Sequence, residues 1–99
     1  MILHTVNQSP FNDSSFSECL KFCSKGSSVL LIEDGVYAGK DNTPYSKLIE
    51  THSEIQFYAL SADVKARGLS QHLAPAITLI DDSVFVELAV THHSVQSWF

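Results

Sequence analysis

The stretch Ser28-Val29-Leu30-Leu31-Ile32-Glu33-Asp34-Gly35 decides how the rest of the chain is read. Four consecutive apolar residues, two of them β-branched, run into two carboxylates and a glycine. A strand wetted on one face would alternate apolar and polar side chains, and this one does not. It reads as a strand covered on both faces, as in a parallel sheet between helices. Glu33, Asp34 and Gly35 then fall at its carboxyl end, the edge where open α/β sheets hold their ligands.

Working back from it, Ser15 is placed to cap a helix, with Glu18 three residues on to close a capping box. Phe16, Cys19, Leu20 and Cys23 follow at i, i+3, i+4 and i+7 on one helical face. Gly26 is the expected end of that helix. Met1 to Val6 reads as a first strand, apolar apart from His4 and Thr5, and residues 7–10 as a loop.

Working forward, Val36 to Gly39 forms one helical turn, and Pro44 opens a helix to about His52 with Tyr45, Leu48 and Ile49 inward. Residues 54–60 make a third strand that alternates at its start and so lies nearer an edge. Ser61 caps a short helix over 62–67, ended by Gly68. Residues 69–76 are loop, and Ile77 to Ile80 a fourth strand. Asp81 or Asp82 caps a last helix to about Thr91, with Val84, Leu88 and either Phe85 or Val86 buried. His92 and His93 fall in its last turn, where positive charge suits the helix dipole. Residues 95–99 close the chain as an extended segment. Strands alternating with helices predict an α/β fold of βαβ units in one domain spanning residues 1–99.

The 99 residues are 44% hydrophobic, enough for a core, yet few for covering both faces of a sheet. Burial is expected to finish against a partner subunit. Terminal residues normally fray, so the apolar pair Trp98-Phe99 suggests docking, either on the chain's own sheet or on a neighbour. A net charge of −5, with 6 Lys+Arg against 11 Asp+Glu and no basic run, argues against direct contact with nucleic acid. No apolar run reaches membrane-spanning length. Met1-Ile2-Leu3-His4 lacks the pattern of a signal peptide. Two cysteines without an export signal point to a cytoplasmic protein with reduced thiols.

Cys19 and Cys23 have the spacing C-x-x-x-C, not the redox C-x-x-C. Either residue fits a small core hydrophobe. Cys19, placed early in its helix, also fits a thiolate favoured by the dipole that accepts and passes on persulfide sulfur. An intrahelical disulfide between the two would distort the backbone. Glu33 and Asp34 read as groups that orient the following turn, since two adjacent carboxylates without a third ligand make a poor magnesium site. The five histidines show no metal-ligand spacing, and His4 reads as a satisfied core histidine. Glycine-rich phosphate loops and a nucleophile elbow are absent. No cofactor and no metal are expected.

Several motifs together resemble one family. Ile2-Leu3-His4-Thr5-Val6-Asn7-Gln8-Ser9-Pro10-Phe11 is similar to the "LHT-x-N-x-SP" opening of the DsrH/TusB family. So are residues Val29 to Ala38, residues Val64 to Leu69, Ile80-Asp81 and the closing Val95-Gln96-Ser97-Trp98. The resemblance spans essentially the whole chain. It implies a DsrE-like, three-layer α/β/α fold with a small, mostly parallel sheet of four to five strands.

The resemblance also implies two related small partners, of the DsrE/TusD and DsrF/TusC kinds, in a heterohexamer that relays persulfide sulfur. That sulfur would serve 2-thiolation of a tRNA wobble uridine or dissimilatory sulfur oxidation, with a downstream sulfur carrier protein as acceptor. The principal sulfur-carrying cysteine would belong to the DsrE/TusD partner, leaving this chain mainly an assembly subunit and not the main catalytic one. Glu18-Cys19-Leu20-Lys21-Phe22 resembles the DsrH branch, which carries a cysteine at the position of Cys19. An active thiol carrier working through Cys19 is the alternative reading. A small regulatory binding module using Glu33 and Asp34 is a third.

Overall fold

The chain order of apolar runs and helical stretches becomes a five-stranded sheet in which every neighbouring pair is parallel. The computed structural model describes residues Met1–Phe99. Its elements are β1 (Ile2–Val6), α1 (Ser15–Phe22), β2 (Ser28–Leu31), a 3₁₀ segment (Glu33–Gly39), α2 (Pro44–Thr51), β3 (Gln56–Leu60), α3 (Ser61–Ala66), β4 (Ile77–Ile80), α4 (Asp82–Thr91) and β5 (Ser94–Trp98). The strand order is β4-β3-β2-β1-β5. β2 lies at the centre with all four residues buried, as its unbroken apolar run requires.

This order makes the two layers of helices unequal. Right-handed crossovers from β1 to β2, β3 and β4 step in one direction and put three connections on one face. The return from β4 to β5 reverses direction and puts α4 alone on the other. Packing follows that division. Phe16, Cys19, Val36, Ile49 and Val64 join Val6, Val29, Leu31, Phe57 and Ala59 in a core of 14 buried residues. On the opposite face the buried apolar residues are just Leu3, Leu30 and Ile80, beneath Val84, Phe85 and Leu88 of α4.

No residue of α4 is itself buried. The expected inward set is Val84, Phe85 and Leu88, all half-buried, while Val86 and Val90 stand 63% and 78% exposed. A helix apolar on every side is ordinarily enclosed. β5 is bare as well: it pairs only with β1, and of its five residues only Trp98 is half-buried.

Several boundaries differ from those the sequence suggests. The capping box at Ser15 and Glu18 does not form. Asp13 caps the start of α1 instead, accepting from the Ser15 backbone N–H at 2.7 Å, while Glu18 pairs with Lys21 at 3.4 Å. The helix ends at Phe22, four residues before Gly26, because Cys23 turns to extended backbone. A capping box does form at α2, between Thr43 and Ser46. Leu48 of α2 faces outward, and Ile49 is its buried apolar anchor. The turn after β2 starts at Glu33 and runs as a 3₁₀ segment to Gly39. β3 is interior, one place from the edge strand β4.

Candidate functional site

His4 is the fixed point of the site. In β1 it stands opposite Val29 and so faces the layer containing α1. β5 on its other flank brings Trp98 over it, and the indole Nε1–H donates to His4 Nδ1 at 3.1 Å. A ring nitrogen that accepts carries no hydrogen, so the neutral imidazole holds its hydrogen on Nε2. Nε2 is buried and has no partner. The expectation of a satisfied core histidine is therefore half met.

The last turn of α1 lies against this strand. The sulfurs of Cys19 in that helix and of Cys23 at its C-cap, together with a ring nitrogen of His4, all fall within 4.8 Å of one another. The cysteines are not equivalent. Cys19 is on the inner face of the helix and sealed from solvent, whereas Cys23 has left the helix and is half-buried. Cys19 also sits in mid-helix, away from the helix N-terminus that would favour a thiolate. Hydrogen bonding to Cys23 and burial push its thiol up, opposite to the dipole argument. The Cys23 thiol is lowered by the hydrogen bond it receives from Cys19. Of the pair, Cys23 is the better solvated sulfur and so the easier to ionise.

Beside His4 opens a cavity of about 380 Å³, lined by Ile2, His4, Phe22, Ser94, Gln96 and Trp98. Phe22 stacks obliquely on Trp98 at 5.5 Å, and its ring is 67% exposed. An imidazole and two thiols are a donor set for a soft metal ion. That use requires the Nε2 lone pair, and the Trp98 bond leaves the hydrogen there instead.

The pair Glu33 and Asp34, which the strand-end rule singles out, does other work. Asp34 accepts from Arg67 Nε at 2.8 Å. The Glu33 backbone N–H, in a left-handed conformation at φ 49°, donates to Asp63 at 2.8 Å. These contacts tie the turn after β2 to α3, so Arg67 is more than a solvated helix end. His92 is also more than a dipole counter-charge. Its Nδ1–H donates to the Leu88 carbonyl at 2.7 Å and Nε2 pairs with Ser28 Oγ at 3.0 Å, locking the end of α4 to β2.

The histidine carries a pH dependence with a definite sign. Burial lowers His4 below its ordinary value of 6.5. The unfolded chain then takes up a proton that the folded chain refuses, so His4's contribution is present above pH 6.5 and is lost as pH falls through the lowered folded value. The titratable groups within 4.8 Å of its ring are the sulfurs of Cys19 and Cys23, and burial is the cause of the lowering. Protonation also removes the acceptor for the only tryptophan. The expected result is a Tm that declines from pH 7 to pH 5 with a parallel change in Trp98 emission, and a shallower decline in His4→Gln. Identical slopes in both proteins would contradict the assignment.

Residues 8–95 match the family model described as DsrH like protein. The chain is 38% identical over 97 residues to protein TusB of Escherichia coli K12, covering 98% of this chain and all of that one. Protein TusB of Escherichia coli O81 is 37% identical over the same span. Among solved structures, the ychN protein from Escherichia coli superposes with a TM-score of 0.82 at 16% identity, over 98% of this chain and 97% of its own. MTH1491 from Methanobacterium thermoautotrophicum does so at 0.73 and 15% identity, over 97% and 96%. At those identities the two structures speak to the fold alone.

Proposed function

Because this chain belongs to the DsrH-like family, we propose that it is a subunit of a sulfur-relay complex, acting chiefly in assembly. The observation that carries the reading is the unequal cover of the sheet. α4 shields one face by itself and exposes the apolar stripe Val86 and Val90, next to a strand β5 with a bare edge. Unpaired strand edges and exposed apolar helices are normally protected by association. The partners that fit are two related small α/β subunits, of the DsrE/TusD and DsrF/TusC kinds, joined in a heterohexamer. A downstream carrier protein would collect the sulfur. The cell compartment of such a relay is the cytoplasm. No helix of the chain is long and apolar enough to cross a membrane.

Within this reading the sulfur is destined for 2-thiolation of a wobble uridine in tRNA. The net charge of −5 supports a reading in which other components contact the RNA. Deleting the gene in its host and measuring 2-thiouridine in bulk tRNA tests this. Loss of the modification, restored by the intact gene, is the expected result. Full thiolation in the deletion strain would refute it, and a defect in sulfur oxidation in that strain would place the chain in the dissimilatory branch.

A further inference from the structure

We propose that Cys23 is the sulfur-accepting thiol of this chain, poised by Cys19 and His4, and that its substrate is the outer sulfur of a persulfide, R–S–SH. The proposal rests on the sulfur-relay reading and assigns that chemistry to a residue the family resemblance does not mark.

Three observations converge on Cys23. It stands at the C-cap of α1 in extended backbone (φ −73°, ψ 136°), half-buried, while Cys19 is sealed. Two hydrogen-bond donors lie beside it. One is the Cys19 S–H. The other is the His4 imidazole, 2% exposed and with Nε2–H unpartnered. A neutral thiol is a poor acceptor and leaves a buried N–H unsatisfied, which costs free energy. A thiolate at Cys23 offers both donors, which lie within 4.8 Å of its Sγ, a stronger acceptor than the thiol. Finally, His4 and Phe22, the chain neighbour of Cys23, both line the cavity of about 380 Å³, so open space lies next to the cluster although neither sulfur lines it. The lowered thiol of Cys23 agrees with this arrangement.

The transfer balances without an oxidant. The Cys23 thiolate attacks the outer sulfur of R–S–SH. A bond forms between Sγ and that sulfur, the R–S bond breaks, and its electron pair leaves on R–S⁻. The proton stays on the transferred sulfur. Cys19 and His4 do not touch the incoming sulfur in this step. They are positioning residues that hold Sγ as an anion.

The test exposes the full-length protein to glutathione persulfide, then maps the mass gain of one sulfur, about 32 Da, by peptide analysis. The expected result is gain on Cys23, absent in Cys23→Ser. Gain in the isolated chain identifies a small persulfide as donor. Gain only after persulfide-loaded partner subunits are added identifies a protein persulfide. Cys19→Ala and His4→Gln are expected to slow the gain about tenfold at neutral pH and to move its pH profile upward, whereas purely structural roles leave the profile in place. Sulfur on Cys19 with Cys23 free, or on neither residue in both arms, would overturn the proposal. Alkylation of Cys23 against pH, followed in every variant that folds, gives a second reading of the same thiolate. Co-purification with the partners is scored separately. A chain that binds them but never gains sulfur on Cys23 defeats this proposal alone, and one that gains sulfur but binds no partner defeats the relay reading.

Discussion

Gly35→Ala is expected to lower the stability of the isolated chain by about 3 kcal/mol, at the upper end of overpacking costs. For a domain of this size that corresponds to a fall in Tm of roughly 12–24 °C. The cause is steric. A Cβ at Gly35 would lie 2.0 Å from the Val6 carbonyl oxygen and 2.7 Å from its carbon. Both are backbone atoms and cannot swing aside. The same Val6 oxygen accepts from the Ile32 N–H at 3.0 Å, and Gly35 N–H closes the next turn onto the Ile32 carbonyl at 2.8 Å. Relief of the clash therefore breaks the joint where β1 and β2 end. Gly68→Ala is the control. Its φ of +67° makes a side chain costly, but nothing stands within 4 Å. The penalty there is conformational, about 1 kcal/mol. Thermal melts of the two variants separate the explanations, and equal shifts would refute the steric one.

Val86→Asp with Val90→Asp is expected to abolish assembly while leaving the isolated chain's Tm within a few degrees. Both valines are exposed, so the free chain loses almost no packing. They lie four residues apart on one stripe of α4 and would be desolvated in the complex. A charge buried at each costs at least about 2 kcal/mol of binding. Together that is about three orders of magnitude in Kd. Unchanged affinity for the partner subunits, measured by calorimetry, would move the interface elsewhere on the surface.

The sheet was legible in the sequence for a simple reason. A strand buried on both faces shows as an unbroken apolar run, and Val29 to Ile32 is one. Pro44 marked one helix start and the pair Asp81-Asp82 another, with Asp81 the residue that caps. The site was harder to read. It joins residues 4, 19, 23 and 98, and its defining bond spans 94 positions between His4 and Trp98. Periodicity put Cys23 on the buried helical face; the helix stops at Phe22, yet that sulfur still packs half-buried against the core, beside Cys19 and His4. The strand-end rule drew attention to Glu33 and Asp34, which hold the turn to α3. The usable clue was His4 itself, a polar ring on an apolar strand beneath the helix that carries both cysteines. Trp98 did signal docking, and it docks on that histidine, while Phe99 beyond it stays exposed.

The central claim is that other chains complete the cover this sheet lacks. Native mass spectrometry of the protein co-expressed with the two related subunits of its host measures this directly. The account predicts one stable assembly holding all three kinds of chain in equal number, with the Val86→Asp, Val90→Asp protein left out of it. A wild-type chain found as a free monomer beside an intact two-component complex would contradict it.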